Sequence, residues 1–476
     1  MLSGGLEDTI CAIATPAGEG GIGIVRLSGA RAVFVAEDIV RLRSGRRLSS
    51  VGSHTLHLAD LRLPSSLNRS PAPPCPTAGR AADVFDEALV VCMKAPRSFT
   101  GEDVVEIQSH GGWLVLSMVC QACVAAGARM AAPGEFTKRA FLNGRLDLSQ
   151  AEAVLDTIRA QSAASLTAAQ RQLRGDLARE VDAARDALLA LLAQLEAGID
   201  FVGEDIELLG RPELLETIEG VAGVLQRLAA TAREGRLLRE GAKVVITGRP
   251  NVGKSSLLNR LLQEDRAIVT AVPGTTRDVI EEAIDLEGVR IHLVDTAGIR
   301  ETTDPLEREG IRRSRAAQKG ADLQIVVIDG SVPLTEDDRA LIDAAAVGKH
   351  VIAINKADLP CGVAQSEMRW PSVRVSVSAK TGEGIDQLRR AIQSQLVRAG
   401  AETTDGVTVT NVRHQVALDR ARESLVQAKG SVASGMADEL VSVDVRAAAD
   451  ALGEITGAIT TDEILEKIFS SFCIGK

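Results

Sequence analysis

Tyrosine is absent from the chain, and aromatic residues of all kinds make up only 2% of it. A core built without large rings must take its apolar surface from Leu, Val, Ile and Ala, which together with 25% charged residues suits helix-rich soluble domains. No uninterrupted apolar run approaches the ~20 residues that a membrane span needs, so no spanning helix is expected. The Met1 end has neither the charged nor the apolar region of a secretory leader. An excess of positive charge is also lacking: the formal net charge is -10, so any contact with RNA falls to a local basic patch or to a partner. Beyond Cys120-x-x-Cys123, a second cysteine pair at zinc-ligand spacing is missing. The seven cysteines, Cys11, Cys75, Cys92, Cys120, Cys123, Cys361 and Cys473, are scattered and odd in number, which fits free thiols in a reducing cytosol. Cys120 and Cys123 lie in the helical-looking stretch from Leu116 to Ala125, and with no second pair they read as buried helix packing rather than a metal or redox centre.

What is present is organised around Gly248-Arg249-Pro250-Asn251-Val252-Gly253-Lys254-Ser255-Ser256, a G-x-x-x-x-G-K-S phosphate loop. It follows the apolar run Val244-Val245-Ile246 and precedes Leu257 to Leu262, the strand-loop-helix context that the motif requires. Glycines let backbone N–H groups approach phosphate oxygens, and the helix start adds positive potential. Lys254 is a point charge for the β- and γ-phosphates, and Ser255 can ligate Mg2+.

The 476 residues allow about two to four domains. From Asp8 to Ser28 two strand-like runs surround a glycine-rich loop, and Ala88 to Met93 reads as a buried strand. Ser98 to Gly112 reads as a turn, a strand and a glycine break ahead of a helix. Within it Glu106 alternates with apolar neighbours, the pattern of a solvated strand position. Pro64 to Arg80 lacks periodicity and reads as a surface loop. Leu173, Leu177, Val181, Ala184, Leu188, Leu191 and Leu195 recur at helical spacing. Between about Lys243 and Val397, short β-rich runs alternate with helical ones: Val244–Ile246, Ile291–Val294, Ile325–Ile328, Val351–Ile354 and Val373–Val377 predict a mostly parallel sheet with helices on both faces. Helical period then returns, with Val412, Val416 and Leu418 in one helix and Leu440, Val445, Ala449 and Leu452 in another. Thr460 and Glu463 are spaced as the capping box of a last helix. Helices on both sides of the α/β block predict that it is inserted into one helical domain.

Downstream of the phosphate loop come Gly274-Thr275-Thr276-Arg277-Asp278, Asp295-Thr296-Ala297-Gly298, Asn355-Lys356-Ala357-Asp358 and Ser378-Ala379-Lys380, in the order of a GTPase's five elements. Thr276 can close on Mg2+ and the γ-phosphate. Asp295 can hold the Mg2+ shell through water, while Gly298 offers its N–H to the γ-phosphate. Asp358 can accept two hydrogen bonds from the N–H edge of guanine, which adenine cannot supply, and the backbone at Ala379 can donate to the guanine oxygen. The position after Asp-x-x-Gly, where Ras-type enzymes carry a water-orienting Gln, is Ile299. Sequence chemistry alone therefore leaves catalysis unassigned.

At this point the chain resembles the MnmE (TrmE) family of tRNA-modification GTPases over nearly its whole length. The resemblance rests on the stretch from Thr9 to Ser28, Ser98 to Gly112, Pro133 to Leu148, the GTPase elements and the terminal Cys473-Ile474-Gly475-Lys476. Ribosome-assembly GTPases of the Era and Der types lack both that tetrapeptide and the N-terminal region. The resemblance implies an α/β and α fold: an N-terminal folate-binding and dimerisation domain (1–148), a helical domain in two parts (149–240 and 401–476) and an inserted Ras-like P-loop G domain (241–400). It further implies a cytoplasmic homodimer.

The resemblance also assigns residues. Arg26, Glu106, Arg145 and Lys476 match the family's contacts to a methylene- or formyl-tetrahydrofolate. Arg145 stands where some relatives carry Lys, which keeps charge but not bidentate geometry. Lys476 would reach the N-terminal domain across a dimer contact. The GTP-binding set becomes Asn251 to Ser256, the segment Thr270-Ala271-Val272-Pro273-Gly274-Thr275-Thr276, and the three downstream motifs. Mg2+ falls to Ser255 and Thr276; K+ falls to the Asn251 side chain and to groups of Thr270, Val272 and Thr275. Glu307 matches the family's water-orienting carboxylate, and Cys473 is a residue the family needs for tRNA modification. The implied reaction, with the FAD-containing partner MnmG, adds an aminomethyl-type (carboxymethylaminomethyl) group to C5 of the wobble uridine of certain tRNAs. Two rivals stand beside what the resemblance implies: an rRNA-binding assembly switch, for which no basic appendage is evident, and a folate-using transferase whose GTPase is only regulatory.

Overall fold

Val25 and Leu27 flank Arg26, and Val105 and Ile107 flank Glu106. This alternation puts four fully buried aliphatic side chains on one face of a sheet and the two charged ones on the other. The computed structural model describes residues 8–64, 84–200, 210–263, 282–286, 289–295, 320–364, 370, 372–396 and 406–476. It divides into two units, one made of Met1–Leu155, Leu173–Asp182 and Leu452–Lys476, the other of Asp156–Gln172 and Ala183–Ala451.

The first unit is built on strands β1 (Ile10–Ile13), β2 (Gly20–Ser28), β3 (Val40–Leu42), β4 (Leu56–Arg62), β5 (Val84–Met93), β6 (Val104–Gly111) and β7 (Arg129–Met130). They form one sheet in the order β3-β4-β5-β6-β2-β1-β7, antiparallel except for β1 with β7. The core holds Val35, Ala36 and Ile39 of helix Ala32–Ile39, and Leu116, Val119, Cys120 and Cys123 of helix Trp113–Ala125. Cys120 and Cys123 are buried packing residues, and among the described residues no cluster of three or more ligating groups could hold a metal. On the opposite face Ile10, Ala12 and Phe136 pack beneath Phe99. The end of the chain folds back onto this unit: Leu465, Phe469 and Phe472 pack against Leu148, Ala151 and Leu155.

The second unit contains β8 (Ala242–Thr247), β9 (Glu282–Leu286), β10 (Val289–Asp295), β11 (Leu323–Asp329), β12 (His350–Asn355) and β13 (Val373–Ser376), in the order β13-β12-β11-β8-β10-β9. The five anticipated runs fall in β8, β10, β11, β12 and β13, and these strands pair with one another in parallel. Pattern reading missed β9, an edge strand antiparallel to β10 in which Ile284 and Leu286 are buried. The first helix after β8 is Lys254–Gln263.

Long helices make up most of the rest. Leu177, Val181, Ala184, Leu188, Leu191 and Leu195 are all buried, as their spacing predicts, but Leu173 is half-buried and ends the preceding helix, Ala163–Leu173, which Gly175 at φ +81° separates from Asp176–Asp200. Two further details depart from the sequence reading. In helix Val412–Ala433 the buried stripe is Ala417, Leu418, Ala421 and Leu425, while Val412 and Val416 are exposed; in Asp438–Thr456 Leu440 is likewise exposed. The last helix, Asp462–Phe469, is capped by Thr461 rather than Thr460: the Thr461 hydroxyl accepts from the Ile464 N–H at 3.4 Å. Among the described residues, no helix is long and apolar enough to cross a membrane.

Helix Arg211–Glu240, which leads into β8, packs where the chain leaves the α/β block. The Val409 N–H donates to Thr231 Oγ1 at 3.0 Å, and Gly235 lies directly beneath the Val409 carbonyl. Alanine at this helical position would gain about 1 kcal/mol of propensity. Its Cβ would nevertheless sit 2.0 Å from the Val409 oxygen, and overpacking against backbone costs about 1–3 kcal/mol. Gly235→Ala is therefore expected to lower the urea midpoint; an unchanged or higher midpoint would contradict this packing.

Candidate nucleotide and N-terminal sites

Three loops at the C-terminal ends of parallel strands converge, as ligand-binding loops do in open α/β sheets. Gly248–Gly253 follows β8, Asn355–Asp358 follows β12, and Ser378–Lys380 follows β13. The joint between them is Asn355, 2% exposed. Its Nδ2 donates to the Val252 carbonyl at 2.8 Å, and its Oδ1 accepts from the Ala379 N–H at 3.0 Å. A Cβ at Gly253 (φ +95°) would lie 2.2 Å from Asn355 Nδ2, so the motif's second glycine is required by this contact as well as by phosphate approach. Asn251 adopts φ +65°, a left-handed conformation that Asn tolerates better than most residues, and its side chain is exposed.

Lys254 Nζ donates to the Gly248 and Arg249 carbonyls at 2.9 and 2.8 Å, which holds the ammonium over the loop. Ser255 and Ser256 follow it in the first turn of the helix. Asp358 Oδ1 accepts from Ser378 Oγ at 2.7 Å, and Ser378 Oγ in turn accepts from the Thr381 N–H at 3.1 Å. The Ala357 N–H is bonded to the Val377 carbonyl. Asp295 ends β10 beside Ile246 of β8. Thr270, Ala271, Val272, Pro273, Gly274, Thr275, Thr276, Thr296, Ala297, Gly298 and Glu307 lie outside the described residues.

Several residues at this edge were not singled out from the sequence. Arg260 donates from Nε to the Ala379 carbonyl at 3.2 Å and from Nη2 to the Lys380 carbonyl at 2.6 Å, bracing the Ser378–Lys380 loop. Asp329, at the end of β11, pairs with Lys356 Nζ at 2.5 Å and accepts from the Ser331 N–H and hydroxyl. Each partner lies outside the motif it supports, so motif spacing carried no signal for it.

The second cluster lies on the first unit's sheet. Arg26 and Glu106 are directly opposite across β2 and β6, both largely buried at 15% and 16% exposed. Arg26 Nε and Nη2 each reach Glu106 Oε1 at 2.8 Å. The guanidinium also lies 5.7 and 5.8 Å from the ring centres of Phe99 and Phe136. Glu106 is thus an ion-pair member rather than the solvated position its alternation implied. Arg145 Nε donates to the carbonyl of Ser98, next to Phe99, at 3.3 Å.

The chain end reaches this cluster within a single chain, so no dimer contact is needed to bring Lys476 there. Arg26 Nη1 is 3.5 Å from the Gly475 carbonyl, and the Gly134 N–H donates to the Cys473 carbonyl at 3.4 Å. Gly475, at φ +94°, fits because a Cβ there would lie 2.3 Å from the Ile13 carbonyl oxygen. Burial and the Arg26 charge hold the Lys476 ammonium below its ordinary pKa, opposed by Glu106 and Cys473. Cys473 itself is exposed.

A phosphate loop before a helix, joined through a buried Asn to a loop bearing Asp358, defines a P-loop nucleotide hydrolase of the guanine-reading kind. The chain matches the description "MnmE helical domain" over residues 148–473 and "GTP-binding protein TrmE N-terminus" over residues 9–145. It is 47% identical to the tRNA modification GTPase MnmE of Symbiobacterium thermophilum, with 99% of this chain and 100% of that protein aligned. To the MnmE of Chloroflexus aurantiacus it is 49% identical, again over 99% of this chain and 100% of that protein. The chain belongs to the MnmE (TrmE) family of tRNA modification GTPases, and it is a GTP hydrolase. Among solved structures, the G domain of the T. maritima FeoB iron transporter aligns with 33% of this chain and 99% of its own at 26% identity, with a TM-score of 0.25. A score that low says nothing further of the fold.

Asp329 supplies a pH test. Burial pushes its carboxyl up, but hydrogen bonds from Lys356 and Ser331 outweigh that and hold it below its ordinary range. A carboxyl with a folded pKa below its unfolded value stabilises the fold above the unfolded value, and the contribution is lost as pH falls through the folded one. Asp329→Asn is expected to cost about 1 kcal/mol near neutrality and to narrow its deficit in acid. Urea denaturation across the acid range checks it; a deficit that stays constant with pH would contradict the assignment.

Proposed function

We propose that this GTPase acts with a flavin-containing MnmG partner to install an aminomethyl-type group at C5 of the wobble uridine of certain tRNAs, drawing the carbon from a tetrahydrofolate. The observation that carries this reading is the meeting of Arg26, Glu106, Lys476 and Cys473 at one edge of a chain that also holds a nucleotide site. A pterin presents an amino-pyrimidinone edge of N–H donors to which a carboxylate such as Glu106 is complementary, and the cations Arg26, Arg145 and Lys476 suit the carboxylates of a folate tail. The Arg26 ion pair fixes the position of that carboxylate in a largely buried setting. A reduced folate supplies the one-carbon unit when bound; the residues here bind it and orient it.

At the nucleotide site, Lys254 would meet the β- and γ-phosphates, Ser255 and Thr276 would hold Mg2+, and Asp295 would hold its shell through water. Asp358 and the Ala379 N–H would read guanine, with Lys356 and Lys380 alongside. Asn251 is exposed and left-handed in the phosphate loop, and its side chain would be a K+ ligand completed by Thr270, Val272 and Thr275. A cation there would offset charge developing between the phosphates, while Glu307 orients water in place of the Gln that Ile299 replaces. Homodimerisation is supported by the sheet face around Arg26, where Leu58 and Leu89, cross-strand partners, and Leu56 are exposed. The three-part division at 148, 240 and 400 belongs to the same reading, with GTP-driven opening and closing of the G domain coupled to modification and the protein working in the cytoplasm.

Mass analysis of wobble nucleosides from cells lacking the protein is expected to show loss of the aminomethylated uridine; normal levels would rule out the pathway. Glu307→Ala is expected to abolish both hydrolysis and modification, whereas modification persisting without hydrolysis would favour a purely regulatory GTPase. Hydrolysis should run faster in KCl than in NaCl at matched ionic strength, and equal rates would remove the potassium site.

A further inference from the structure

Within the phosphate loop, Arg249 is one of the four residues between the glycines, a position the motif leaves open. Its backbone carbonyl accepts from Lys254 Nζ at 2.8 Å, while its side chain points away from the loop and donates from Nε to Asp338 Oδ1 at 2.8 Å. Asp338 is 1% exposed and sits at the start of helix Glu336–Ala345. The two oxygens of that carboxylate divide their work. Oδ2 closes the capping box, accepting from the Thr335 N–H at 3.1 Å and the Thr335 hydroxyl at 2.8 Å; Oδ1 takes the arginine.

We propose that Asp338 and Arg249 are positioning residues for GTP hydrolysis: the buried carboxylate, anchored at a helix start, fixes the Arg249 peptide whose carbonyl steers the Lys254 ammonium. The need for such a tether follows from the loop itself. Between β8 and its helix the backbone has no ladder to hold it, and Asn251 is in a left-handed conformation. Asn355 fixes the loop at Val252, on the far side of that turn. The Arg249 peptide lies on the near side, 89 residues in sequence from the acid that holds it. Released from Asp338, this peptide can rotate, and the lysine loses a fixed acceptor before it reaches phosphate. Small misplacements of groups that contact reacting phosphates are costly in rate, because alignment in the transition state is what they supply.

The test is a mutant cycle on the full-length protein, with kcat and KM for GTP hydrolysis, affinity for GDP and the thermal midpoint all measured. Arg249→Ala and Asp338→Asn are each expected to reduce kcat/KM about tenfold, and the double variant no further than the worse single, since both remove one tether. Arg249→Lys keeps the charge on a stem of similar reach and is expected to recover at least half of the lost activity. Thr335→Ala weakens the cap without touching the Oδ1 contact, so it should lower the midpoint while kcat/KM stays within about twofold of wild type. Losses that multiply in the double variant, wild-type kinetics in Asp338→Asn, or a Thr335→Ala variant as impaired in kcat/KM as Asp338→Asn would each overturn the proposal.

Discussion

The buried amide of Asn355 is the contact on which the nucleotide edge depends. Sheet pairing places β8 and β13 three positions apart, with β11 and β12 between them, so hydrogen bonding in the sheet alone never brings their loops together. Adjacent strands are about 4.8 Å apart, and a side chain at the end of β12 can span what the ladder cannot. Asn355 does so by using both ends of its amide, a donor to one loop and an acceptor for the other. A purely apolar residue would leave the Val252 carbonyl and the Ala379 N–H without these bonds in a place shielded from water. Arg260 adds a second tie by holding the Ala379 and Lys380 carbonyls from the helix that follows the phosphate loop.

The first unit solves a related problem with its chain end. Arg26 and Glu106 form a cross-strand pair that would sit on the open face of a sheet, yet both are largely buried because aromatic rings and the terminal residues close over them. Glycine at 475 lets the backbone approach β1 closely enough for the last residues to lie against it. The same burial that shields the ion pair disfavours the charged form of Lys476, with the Arg26 charge acting in the same direction.

Much of the fold was legible because hydrophobic period is a local signal. The central strands β8, β11 and β12 have continuous apolar runs, and the stripe from Leu177 to Leu195 follows helical spacing. Where the reading slipped, tertiary context had outvoted local pattern. Val412, Val416 and Leu440 are as apolar as their buried neighbours but fall on the outward face of their helices. The short strand β9 lies at the edge of its sheet, and the last helix takes its cap from Thr461, one position beyond Thr460.

The sequence by itself determined which chemistry the G domain offers: nine consecutive residues from Gly248 to Ser256 contain the glycines, the lysine and the hydroxyl that bind phosphate, and Asn355 to Asp358 contains the guanine-reading acid. That information is contiguous, so no fold was needed to read it. Only the tertiary structure decided that Arg26 meets Gly475 across 449 residues, that Arg249 is held by Asp338 across 89, and that Lys356 pairs with Asp329. The physical reason is separation. A charged side chain shows in sequence as a charge alone, and whether it ends as a solvated surface group or a buried partner depends on which distant backbone the fold lays against it.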